Sequence, residues 1–130
     1  IYGNKVYKMK KSLRLKKNSD FQSVYKKKKS FANRQFIIYL DQDIDRGHQF
    51  GLSISKKLGN AVMRNKIKRR VRVICQKLQH ELKYGRYIII ARHPVINMTQ
   101  QEMEKSLYHV FSVANSFKKE AKRTNKNKSG

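Results

Sequence analysis

The sequence predicts a single α/β domain in which helices pack on a central mixed sheet. Three observations carry that prediction. Residues 36–40 (F-I-I-Y-L) and 50–55 (F-G-L-S-I-S) are β-branched or aromatic runs of strand length. A long stretch follows in which Met63, Ile67, Val71, Ile74, Leu78 and Leu82 recur at steps of three or four, one apolar stripe on a helix. Residues 87–91 (Y-I-I-I-A) then form a continuous apolar run, the pattern of a central strand buried on both faces. Strand, long helix, strand implies a crossover between parallel strands. A chain of 130 residues fits one domain.

The elements follow in order. Residues 1–17 are basic and weakly patterned and predict a mobile arm. Met9 looks like a natural start, with residues 1–8 an upstream extension or an added remnant. Asn18, Ser19 and Asp20 are good N-cap residues. Phe21, Val24 and Tyr25 follow at helical spacing, predicting a helix over 19–28 that ends in a lysine run. The first strand is 36–40, and the acid-rich stretch 41–47 is a turn. The second strand is 50–55, and an extra strand near 45–49 is compatible with the pattern. Residues 56–60 connect to a long helix over 61–83, which Tyr84 and Gly85 end. Pro94 terminates the 87–91 strand. Thr99 with Glu102 three residues on is a capping-box pattern, opening a helix that Met103, Leu107, Val110, Phe111 and Ala114 carry to about residue 118. The order is α-β-β-(β)-α-β-α. The domain spans 18–119, followed by a disordered basic tail over 120–130.

Charge narrows the function. The chain carries 32 Lys and Arg against 8 Asp and Glu, a formal net charge of +24. Such an imbalance strains the fold through self-repulsion, so an anionic partner is expected. Nucleic acid leads, because neutralised phosphates release condensed counterions. An anionic membrane surface fits less well, since the basic helix has no Trp and its apolar face reads as core. No apolar run reaches membrane-spanning length and no secretory h-region is read. The lone Cys75 reads as a buried thiol, and with it a reducing, cytoplasmic setting is expected.

The long helix concentrates the charge. Arg64, Lys68 and Arg72 stand at i, i+4, i+8, with Asn65 and Arg69 beside them and no acid interspersed. Like charges at this spacing destabilise an isolated helix, which favours binding over a solvated face. Lys66 and Arg70 lie nearer the other edge of the stripe. Seven Tyr and six Phe supply stacking surface. Phe21, Tyr25 and Tyr39 could line a groove floored by sheet, or could simply be core aromatics.

Catalysis by the polypeptide finds little support. The four histidines are scattered, and one cysteine excludes Cys-based zinc sites. Asp41, Asp43 and Asp45 lack the Gly and distal Glu of a calcium loop. Gly59 is not followed by G-K-[ST]. No catalytic residue and no metal ligand is assigned.

One resemblance sharpens this. Leu58 to Arg72 (L-G-N-A-V-M-R-N-K-I-K-R-R-V-R) resembles the signature of the bacterial ribonuclease P protein component. R-L-K-K-N-S-D-F from Arg14, A-N-R-Q-F from Ala32, G-L-S-I-S-K-K from Gly51 and Y-I-I-I-A-R-H-P from Tyr87 are similar to that family, in order. The resemblance implies an α/β sandwich (α+β) with a left-handed crossover, against the general right-handed rule. It implies a subunit of an endoribonuclease that removes the 5′ leader of precursor tRNA, with active site and Mg2+ on an RNA subunit. By position, RNA-subunit contacts fall on Lys56, Lys57, Arg64, Asn65, Lys66, Lys68, Arg69 and Arg72. Leader contacts fall on Phe21, Tyr25 and Tyr39. The partners implied are the RNA subunit and precursor tRNA, with no membrane and no protein partner. Two departures stand out: Lys66, where the family often has Arg, loses bidentate geometry, and Gln49 replaces a frequent Arg. The competing expectations are a ribosomal-type RNA-binding protein and a helix-turn-helix DNA binder.

Overall fold

The computed structural model describes residues 10–45 and 47–118. The expected extension over 1–8 and the tail over 120–130 lie outside the described residues. The elements are α1 (Asn18–Lys26), β1 (Ser30–Ala32), β2 (Phe36–Asp41), β3 (His48–Ser53), α2 (Ala61–Leu78), β4 (Gly85–Ala91) and α3 (Gln100–Val113), joined in part by short 3₁₀ turns. They form one four-stranded sheet in the order β1-β2-β4-β3. β2 runs antiparallel to β1 and β4, and β3 runs parallel to β4 with α2 as the connection.

β4 is central, as its unbroken apolar run requires. Tyr87 and Ile89 face α2 and α3, whereas Ile88 faces α1, and all three are fully buried. On the first face Phe36, Ile38, Leu40 and Phe50 meet Ile67, Val71 and Ile74 of α2 and Met103, Leu107 and Phe111 of α3. The stripe read from the sequence is therefore the core face of α2. On the other face α1 lays Val24 against Leu15 and Ile88.

Both long helices are capped as their sequences dictate. The Met63 amide donates to Asn60 Oδ1 at 3.0 Å. Thr99 Oγ1 accepts from the Glu102 amide at 3.1 Å, and Glu102 Oε1 accepts from the Thr99 amide at 2.9 Å. These reciprocal bonds satisfy donors that the first turn leaves free.

Several boundaries differ from expectation, each for an identifiable physical reason. The third strand lies over Ser30–Ala32, before β2 rather than near residues 45–49, and His48 and Gln49 belong to β3. β1 has three residues and one packed apolar side chain, Phe31, too little for a periodic signal. α1 begins at Asn18 with Lys17 at its N-cap and no side-chain cap. The Leu15 amide donates to the Phe50 carbonyl at 2.9 Å, so the sheet edge fixes where the chain turns. The same bond, with Leu13 and Leu15 buried, docks residues 10–17, which were expected to be mobile. α2 stops at Leu78. A 3₁₀ turn follows, and Leu82 leaves it extended to bridge Phe117, keeping its burial without the helix. α3 stops at Val113 because Asn115 is left-handed at φ 53°. The Ser116 amide then reaches the Phe111 carbonyl and the Asn115 amide the Ser112 carbonyl, a Schellman closure.

Candidate RNA interface

The two sides of the sheet present two different surfaces. On one side, the outward face of α2 carries the cation row. Packing of Ile67, Val71 and Ile74 into the core turns Asn65, Lys66 and Arg69 into solvent and leaves Arg64, Lys68 and Arg72 half-buried. Lys56 and Lys57 are exposed in the 3₁₀ turn leading into α2. The Arg64 Nε donates back to the Gly59 carbonyl at 3.2 Å, which fixes its stem at the first turn. Gly59 allows this approach through a φ of 139°, and a side chain there would press on Met63. Burial holds the Arg72 guanidinium below its ordinary pKa, with the nearby Arg14 charge adding to the effect.

Among the described residues, no carboxylate forms an ion pair with any of these cations. Lys27, Lys77 and Arg86 form ion pairs elsewhere on the surface. Arg70 is different. Its Nη1 donates to the Met98 carbonyl at 2.9 Å, and the Gln100 side-chain Nε2 donates to the Arg70 carbonyl at 3.2 Å. Arg70 therefore ties α2 to the start of α3, unlike the cations of the row, whose charges are left without a carboxylate among the described residues.

On the other side, α1 crosses β3, β4 and β2 in turn. Phe21 lies over Gly51, Val24 packs with Ile88, and Tyr25 meets Tyr39 edge-on with ring centroids 4.9 Å apart. Burial, and secondarily Tyr39, raise the Tyr25 pKa. Phe21, Tyr25 and Tyr39 thus come together from two elements and are only half-buried. The next row of the sheet, Ile37, Ile90 and Ser53, is aligned by register and also half-buried. Ser53 ends β3 shortly before Lys56 and Lys57, so the chain passes from the edge of the aromatic face directly into the turn that precedes the cation row.

Four residues beside these surfaces escaped the sequence reading. Ile37 and Ile90 floor the aromatic face, but a strand pattern does not say which face stays open. Arg14 stands near Arg72, with its Nε buried and without a hydrogen-bond partner. Arg86 on β4 donates through Nε to Gln49 Oε1 at 3.1 Å and reaches Asp20 at 4.0 Å. The position of Gln49 thus has a cation beside it, supplied by the neighbouring strand; only the ladder register makes them neighbours.

The remaining candidates are structural. His48 Nε2 lies 2.9 Å from the Leu82 carbonyl, and burial lowers its pKa. Asp41 Oδ1 accepts from the Asp43 amide at 3.0 Å within the turn. Cys75 is fully buried, and burial pushes its thiol far up. Among the described residues no three His, Cys, Asp or Glu side chains gather as a metal-binding set, and no helix is long and apolar enough to cross a membrane.

Comparison with known proteins places this arrangement. A family model described as Ribonuclease P matches residues 9–115. The chain is 52% identical over 105 residues to a ribonuclease P protein component of Bacillus cereus, covering 79% of this chain and 91% of that one. It is 50% identical over 115 residues to that of Staphylococcus carnosus, covering 88% and 100%. The fold is similar to the Staphylococcus aureus RNase P protein, with a TM-score of 0.74, 45% identity and coverage of 83% and 100%.

Proposed function

The chain belongs to the ribonuclease P protein family, and on that premise we propose how its two surfaces divide the work. The cation row of α2, with Lys56 and Lys57, binds the RNA subunit. The half-covered aromatic face binds the single-stranded 5′ leader of precursor tRNA. The RNA subunit carries the cleavage chemistry and its Mg2+, and the polypeptide supplies no catalytic group. The holoenzyme works in the cytoplasm.

The observation that carries this reading is the pairing of surfaces on one sheet. An acid-free row at fixed helical spacing suits the regular phosphates of a folded RNA. A shallow aromatic face suits an extended strand, because every base presents a π-face. Two such surfaces on one sheet let one small domain hold both RNAs. Catalytic RNA and substrate are both polyanions, and a chain of +24 between them offsets their repulsion. That relief lowers the Mg2+ the RNAs need to come together.

The test is precursor-tRNA cleavage by a ribonuclease P RNA at low Mg2+, with and without this chain. Cleavage at the mature 5′ end is expected only when both are present. Tight RNA binding without stimulation would favour a purely structural RNA-binding role, and cleavage by the purified protein alone would overturn the division of labour.

A further inference from the structure

Gly51 sits on β3 opposite Ile88, on the sheet face that α1 crosses. A Cβ placed there would lie 2.6 Å from Phe21 Cζ and 2.7 Å from Cε2, with Leu15 Cδ2 next at 3.2 Å. Separations this short do not occur between side chains, so the Phe21 ring rests where a side chain would otherwise stand. Among the described glycines only Gly47 and Gly59 have positive φ, so Gly51 is not required by its backbone. What its missing side chain provides is space for the end of one ring.

We infer that Gly51 is a positioning residue for the leader-binding face: it sets how deeply Phe21 sinks onto the sheet. This inference rests on the leader-binding reading given above. With Gly51, the ring lies low beside Tyr25 and Tyr39, and the face stays open enough for a strand of bases. With any larger residue the ring must lift. The strand itself cannot yield, because Phe50 beside Gly51 is buried and the ladder to β4 is continuous from His48 to Ser53. The atoms that clash are the far end of a side chain free to turn about χ1. The substitution therefore moves the ring rather than the fold.

The experiment uses the complex of this chain with a ribonuclease P RNA and compares affinity for leader-bearing and mature tRNA. Gly51→Ala should weaken leader-bearing tRNA by about tenfold, within the range of one lost base stack, and leave mature tRNA unchanged. Phe21→Leu lacks the Cε2 and Cζ atoms that meet the added methyl. It should lower the same ratio by itself, and adding Gly51→Ala to it should cause no further loss.

An equal loss for both tRNAs, or a Gly51→Ala loss that persists beside Phe21→Leu, would show that Gly51 acts through the fold and not through Phe21. A Gly51→Ala chain with an unchanged ratio, while Phe21→Leu lowers it, would also overturn the inference yet leave leader binding standing. If Phe21→Leu leaves the ratio unchanged, the leader-binding reading itself fails.

Discussion

The two faces of the sheet are built from the same strands, yet they are finished differently. Under α2 and α3, Tyr87, Ile89, Phe111 and Val71 are sealed from solvent. Under α1, Leu15, Val24 and Ile88 form a small sealed patch, and Phe21, Tyr25, Tyr39 and Ile90 around it are left partly open. One short helix cannot cover a face that two long helices cover on the other side. A sealed face contributes stability in proportion to the apolar area it removes from water. A half-covered face gives up part of that contribution and keeps aromatic surface available to a ligand. The comparison teaches that α1 covers its face only in part, while α2 and α3 close a core.

Adjacent residues on β4 put the contrast to its strongest test. Ile89→Ala empties the sealed face and should cost about 2–5 kcal/mol in urea unfolding. Ile90→Ala, one residue on and facing α1, should cost roughly 1 kcal/mol, in keeping with its partial burial. Equal costs would erase the distinction between the faces. Next in size, Tyr39→Ala should weaken binding of leader-bearing tRNA by about 1–3 kcal/mol and leave mature tRNA unaffected. Equal weakening of both would return Tyr39 to the core.

Neighbouring cations on α2 sharpen the comparison further. Arg69→Ala should leave stability within about 0.5 kcal/mol and reduce the salt slope of RNA binding by about one counterion. Arg70→Ala removes the bond to the Met98 carbonyl and should cost about 1–2 kcal/mol of stability with a smaller change in slope. The smallest effect belongs to His48, on the sealed face beside Phe50. Its folded pKa lies below the ordinary 6.5, so the unfolded chain binds the proton more readily. Stability from this group is complete above about pH 6.5 and declines as pH falls toward the folded pKa. His48→Gln should flatten that part of the unfolding profile.

Much of the layout of the candidate site was legible before the fold. The row Arg64, Lys68, Arg72 could be read because helical spacing is local and the absence of acids is visible in composition. The capping box at Thr99 and the burial of residues 87–91 were legible for the same reason. Lys56, Lys57 and Lys66 came from the resemblance, as did the leader role of Phe21, Tyr25 and Tyr39. The grouping of those three aromatics was available only as a geometric possibility, since it depends on which way α1 crosses the sheet.

The sequence by itself determined the helices, the central strand, the core stripe of α2 and the anionic class of partner. Each is written in short-range periodicity or in net charge. Only the tertiary structure decided that Arg70 is spent on the Met98 carbonyl, that Arg86 stands beside Gln49, and that Phe21 rests on Gly51. The same holds for β1 and for the docking of Leu13 and Leu15. These depend on contacts between residues far apart in the chain, fixed by strand register and helix crossing, and local patterns carry no record of either.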